Sequence, residues 1–149
     1  FIFNILGQVY LGDSGTYLVS FLIGVYLIKF NINNNFISPY YIAVLLWYPA
    51  FENFFSISRR IIKRNNISGA DNLHLHHLFF LFLKSKNLSS KNFLNSSCSI
   101  FLILLNVPSM IIASFYASKS IVLLSIIFLN IILYLLTYYF FSKYFVNKK

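Results

Sequence analysis

Three side chains suited to moving protons or gripping phosphate, His74, His76 and His77, fall within four positions of the run Asp71-Asn72-Leu73-His74-Leu75-His76-His77. They are all the histidines of the chain, and Asp71 is one of only three acidic residues. Near pH 7 an imidazole can be neutral or charged, and it can hydrogen-bond phosphate or sugar oxygens. As zinc ligands the three would make a poor set, since the usual helical pair is spaced by four and a further ligand is needed. On a helix His74 and His77 would share a face, with His76 well around from both. A polar loop that happens to hold histidines is the plain alternative. The gathering of every histidine into four positions favours a site.

The other two acids stand apart. Asp13 lies in Gly12-Asp13-Ser14-Gly15, where small neighbours allow close backbone approach to a ligand. Its carboxylate is a hard oxygen ligand of the kind Mg²⁺ takes together with substrate phosphates. A helix cap with glycines as turn residues explains the same four positions equally well. Glu52 follows Pro49 near the end of an apolar run and needs a charged partner or a wet cavity. Arg59, Arg60, Lys63 and Arg64 form a cationic run. An anchor on anionic lipid heads explains most such runs, and a guanidinium that grips phosphate bidentately is compatible with it.

The elements that position these groups are apolar. Of 149 residues, 58% are hydrophobic and 10% charged, with a formal charge of +9. A soluble domain carries more charge and could not hide so much apolar surface. A basic soluble protein would suggest nucleic acid, but here the cations lie between apolar runs, which points to the membrane instead. Many Asn, Ile, Lys and Phe residues are also what an AT-rich genome produces. The expected architecture is all-α, a polytopic transmembrane bundle with four spans over about residues 10–30, 36–55, 97–117 and 121–141. No span carries a charge near its middle, which disfavours a channel or transporter. Pro49 and Pro108 fall inside expected helices, and Tyr48 and Tyr138 read as part of an interfacial aromatic belt. The lone Cys98 reads as a small core residue.

The connections fix an expected orientation. Segment 56–96 carries seven Lys and Arg residues, and the C-terminus adds Lys143, Lys148 and Lys149. The positive-inside rule puts both in the cytoplasm, and four spans then return Asp13 to the same face. Within the loop, residues 54–63 continue the second helix. Asn65-Asn66-Ile67-Ser68-Gly69 breaks it, and Asp71 caps a new short helix. Leu75, Leu78, Phe79, Leu81 and Phe82 would give that helix an apolar side able to lie on the membrane surface.

Val9-Tyr10-Leu11-Gly12-Asp13-Ser14-Gly15-Thr16 resembles the Gly-Asp-x-Gly-Ser segment of the polyprenyl-phosphate N-acetylhexosamine-1-phosphate transferases. Pro49-Ala50-Phe51-Glu52, Arg59-Arg60 and Ala70-Asp71-Asn72-Leu73-His74-Leu75-His76-His77 are similar to that family's Pro-x-x-Asp, Arg-Arg and Ala-Asp-x-x-His-x-His-His pieces, in the same order. The resemblance spans residues 7–83 and implies transfer of a sugar-1-phosphate from a UDP-N-acetylhexosamine to membrane polyprenyl phosphate, with release of UMP. It implies Mg²⁺ on Asp13, a catalytic role for Asp13, His74, His76 and His77, and substrate contacts from Glu52, Arg59, Arg60 and Asp71. It further implies a multi-pass protein of the inner (plasma) membrane, cytoplasmic active face, feeding lipid-linked glycan, lipopolysaccharide or cell-wall synthesis.

The departures matter as much. The family carries an Asp-Asp pair and many more spans. This chain has no Asp-Asp, Glu52 replaces the usual Asp, and Ser20 falls where a glycine is common. The chain therefore reads as the C-terminal part of such an enzyme, inactive without a missing N-terminal half or a complementing chain. The competing expectation is a non-enzymatic membrane protein that binds anionic lipid or metal through its histidine-bearing basic loop.

Overall fold

In the computed structural model, which describes residues 12–62, 73–86 and 91–146, the chain is an all-helical membrane bundle. Among the described residues five helices follow in order: α1 (Gly12–Asn33), α2 (Pro39–Ile62), α3 (Leu75–Ser85), α4 (Lys91–Phe115) and α5 (Ser120–Val146). No strand occurs among the described residues. Asn65–Gly69 and Asp71, the expected break and cap, lie outside them, as do Lys63, Arg64, Lys148 and Lys149.

Among the described residues three helices are long and apolar enough to cross a membrane: α1, residues Phe93–Phe115 of α4, and residues Ser120–Tyr144 of α5. The second of the four expected spans is not among them. α2 is 24 residues long, about 36 Å of helix, but Pro39, Pro49, Glu52, Asn53 and Ser56 interrupt its apolar run. Two of these, Glu52 and Ser56, are buried within the bundle. The expected continuation of this helix past residue 55 is present, and α2 runs on through Arg59 and Arg60.

Local chemistry sets the helix ends. Gly12 opens α1 at φ +69°, a left-handed conformation that glycine adopts without strain. Asn34 closes α1 by donating from Nδ2 to the Phe30 carbonyl at 2.7 Å. Ser38 caps α2, its Oγ accepting from the Tyr40 amide at 3.3 Å, with Pro39 at the first helical position, where a missing N–H is harmless. The Ser38 amide also donates to the Ala117 carbonyl at 2.9 Å, and its hydroxyl meets that of Ser120 at 2.9 Å. These bonds tie the α1–α2 turn to the α4–α5 turn at one end of the bundle.

The core changes character along its length. Near the tied turns it is small and aliphatic, with Val44, Ala113 and Leu123 fully buried. Toward the other end it is aromatic: Trp47, Tyr134 and Phe141 pack with Leu75 and Leu78 of α3. Phe79 stacks on Phe101 at 4.3 Å, and Phe55 meets Tyr138 edge-on at 4.8 Å. The apolar side of α3 therefore faces α4 and α5 rather than lying on the membrane surface. An 11-residue helix is marginal alone, so this packing is what makes α3 persist.

Candidate functional site

The site is built where α2 grips the start of α3. Glu52 and Arg59 are seven residues apart on α2, two helical turns, so they project from one face. Glu52 Oε1 accepts the Leu75 amide N–H at 3.0 Å and faces His74 Nδ1, also at 3.0 Å. Arg59 Nη1 donates to the Leu73 carbonyl at 2.6 Å and to the Tyr138 hydroxyl. Its guanidinium lies over the Phe55 and Tyr138 rings, 6.0 and 5.6 Å from their centroids. One acid and one base thus clamp residues 73–75 from either side.

This clamp replaces a local cap. His74 occupies the N-cap position of α3 in an extended conformation, with no side-chain capping bond of its own. The carboxylate at the first-turn amide comes from Glu52, twenty-three residues earlier. Glu52 is 7% exposed, and a buried acid in an apolar bundle requires such partners. An ionised carboxylate only accepts, so His74 Nδ1 carries the proton, which turns Nε2 away from Glu52.

His74 precedes the helix, so the helical spacing that would pair it with His77 does not apply. Its ring instead stacks on His76, 5.7 Å between centroids with 13° between planes. His77 stacks on Phe80 at 6.3 Å. His76 and His77 then open onto a cleft of about 400 Å³ between α3 and α4, with Phe80, Asn95, Cys98 and Ser99 among its walls. Cys98, expected in the core, is partly exposed here, its Sγ 3.7 Å from the His76 carbonyl. Desolvation pushes the His76 pKa below the ordinary histidine value. The Glu52 charge opposes that shift, and neighbouring His74 and His77 reinforce it. His76 is therefore neutral at pH 7.

No family model, curated protein or solved structure matches the chain. The assignment of roles rests on these residues alone.

The predicted site residues separate into two groups. Glu52, Arg59, His74 and His76 form one connected cluster, with His77 beside it on the cleft. Arg60 sits partly buried in the last turn of α2, and Asp71 lies outside the described residues. Asp13 is exposed in the first turn of α1, where a negative charge suits the helix dipole. Among the described residues no three His, Cys, Asp or Glu side chains group to hold a metal ion. A lone exposed carboxylate does not by itself fit Mg²⁺, so no chemistry is derived through that ion.

Tyr48, Tyr134 and Tyr138 belong to the site and were not legible as such. Tyr48 and Tyr138 look like belt residues by position, yet Tyr48 packs against Tyr134, 6.2 Å between ring centroids, and Tyr138 bonds Arg59. The available signal was helical spacing. Tyr48 precedes Glu52 by four, and Tyr134 precedes Tyr138 by four, which puts each pair on one face.

Proposed function

We propose that the chain supplies the nucleotide-sugar side of a membrane phosphoglycosyl transferase. A polyprenyl phosphate oxygen would bond to the sugar-bearing phosphorus of a UDP-N-acetylhexosamine as the bond to UMP breaks. The single observation that carries this reading is the cleft between α3 and α4. It presents two imidazoles with an amide and a hydroxyl side chain at the basic end of an apolar bundle. A soluble nucleotide sugar and a lipid-borne phosphate can meet only at such a boundary. Two anionic phosphates must also approach each other, and positioned cationic and neutral donors favour that. The order of motifs from Gly12 to His77 supports the same reading.

In this account His76 and His77 contact the sugar nucleotide, and Glu52 acts through His74 as a positioning residue. Arg59 holds the turn in place, while Arg60 and Asp71 are candidates for phosphate and nucleotide contacts. Asp13, exposed in the first turn of α1, is assigned to the reaction on its motif alone, and no step is routed through a metal there. The plasma (inner) membrane, with this face cytoplasmic, is the location such a reaction requires.

The test is UMP release by membranes expressing the protein from its natural gene, with polyprenyl phosphate and a panel of UDP-sugars. We expect release with a UDP-N-acetylhexosamine and a loss of roughly a hundredfold or more in His77→Ala, the scale of one removed donor. Release that is absent for every UDP-sugar, or unchanged in both His76→Ala and His77→Ala, overturns the reading.

A further inference from the structure

The membrane-crossing part of α5 ends on a face that is apolar below and cationic above. Leu136, Tyr139, Phe140, Lys143 and Tyr144 follow helical spacing, so they share one side of α5, and they line a groove of about 480 Å³. Leu136, Tyr139 and Phe140 are exposed. Lys143, also exposed, lies in the last turn with its ammonium 5.9 Å from the Tyr139 ring centroid. The aromatic wall continues onto α3. Phe82 meets Tyr144 edge-on at 4.9 Å and Phe140 at 6.3 Å, and the Lys86 ammonium is 5.9 Å from the Phe82 centroid. The Tyr144 hydroxyl accepts from Ser85 Oγ at 3.3 Å and ties the two helix ends together.

We propose that this groove holds one anionic glycerophospholipid, with its phosphate at Lys143 and an acyl chain along Leu136, Tyr139 and Phe140. The groove lies in the last turns of Ser120–Tyr144, a segment long and apolar enough to cross a membrane, so its open side faces lipid. The height fits. Leu136 lies seven residues below Lys143, about 10 Å along the helix, which carries the groove from headgroup level into the hydrocarbon. Charge selects the headgroup. A phosphate at Lys143 gains a charge-assisted bond, the Tyr139 ring holds the ammonium, and Lys86 adds a second cation on the same aromatic wall. None of the described lining residues is acidic, so the cationic end of a zwitterionic lipid finds no partner among them. A small soluble anion would leave Leu136 and Phe140 uncovered. The groove is formed by α5, apart from the cleft between α3 and α4. The inference uses only the membrane character of the bundle and stands independently of the transferase reading.

Native mass spectrometry of the whole protein released from detergent micelles tests it, with dioleoyl phosphatidylglycerol and dioleoyl phosphatidylcholine titrated separately and the affinity for the first lipid read. Phosphatidylglycerol should bind about fivefold or more tighter than phosphatidylcholine, and Lys143→Gln should remove about fivefold of its affinity, the scale of one lysine at an anionic lipid. Lys119 supplies the matched control. It too is exposed, with its ammonium 5.5 Å from the Tyr116 ring centroid, but it sits at the tied turns. Lys119→Gln makes the same charge change and should leave the affinity intact. Leu136→Trp fills the groove without altering charge and should weaken binding at an unchanged melting temperature. Equal affinity for the two lipids, equal losses in the two lysine variants, or wild-type binding by Leu136→Trp overturns the proposal.

Discussion

Asp13 and Glu52 are the two described acids of this chain, and they meet opposite fates. Asp13 lies exposed at the start of α1, a helix whose only buried residue is Leu27. Glu52 lies inside the bundle, bonded to the Leu75 amide and to His74. α1 and α5 make the same point at the level of helices. Both are apolar around their whole circumference, yet α5 buries Leu123, Asn130, Tyr134 and Phe141 while α1 buries one residue. Apolarity places a helix in the membrane but does not choose its neighbours. The buried polar and aromatic side chains of α2 and α5 make that choice, because in lipid an unmatched polar group costs far more than an unmatched methyl.

The comparison breaks most sharply at Glu52. Glu52→Ala leaves a buried amide and an imidazole without their acceptor and should cost about 3–5 kcal/mol, read as a large fall in melting temperature. Glu52→Gln keeps one accepting oxygen and should recover part of that loss. Wild-type melting of Glu52→Ala would erase the distinction between the two acids.

Arg59 comes next. Arg59→Met removes the bonds to Leu73 and Tyr138 but retains an apolar stem over Phe55, and should cost about 1.5–3 kcal/mol. Arg59→Lys should rescue it only in part, because a single ammonium cannot reproduce the planar fork. Full rescue by lysine would mean that charge alone, rather than the clamp geometry, holds the turn.

These effects show why the site was only partly legible. The Ser38-Pro39 start of α2, the continuation of α2 through Arg59 and the existence of a short helix after Leu73 all follow from local rules. The clamp does not. The carboxylate at the Leu75 amide is contributed by a different helix, which no rule local to the start of α3 points to. The same is true of α3. Its apolar side reads equally well as membrane-facing or core-facing, and only the partners on α4 and α5 decide. At α2 a window of apolar residues likewise conceals that Glu52 and Ser56 are buried within the bundle.

A smaller effect concerns pH. His76 has its pKa pushed below the ordinary 6.5, so its neutral form is favoured by folding. As pH falls through 6.5 the unfolded chain takes up the proton first, and the stability that His76 contributes above 6.5 declines. The decline ends once the folded protein is also protonated. NMR titration of the His76 ring should show a midpoint below 6.5, and His76→Gln should flatten the melting profile in that window. A midpoint above 6.5 would contradict the desolvated setting of His76.

The smallest stability effect belongs to Asp13, and it carries the most direct test of the central claim. Asp13→Asn removes an exposed charge and should change stability by no more than about 0.5 kcal/mol. The decisive measurement is UMP release from a UDP-N-acetylhexosamine by membranes expressing the natural gene with Asp13→Asn, alongside its melting temperature. The account predicts unchanged melting with UMP release abolished. Wild-type turnover in that variant would contradict it.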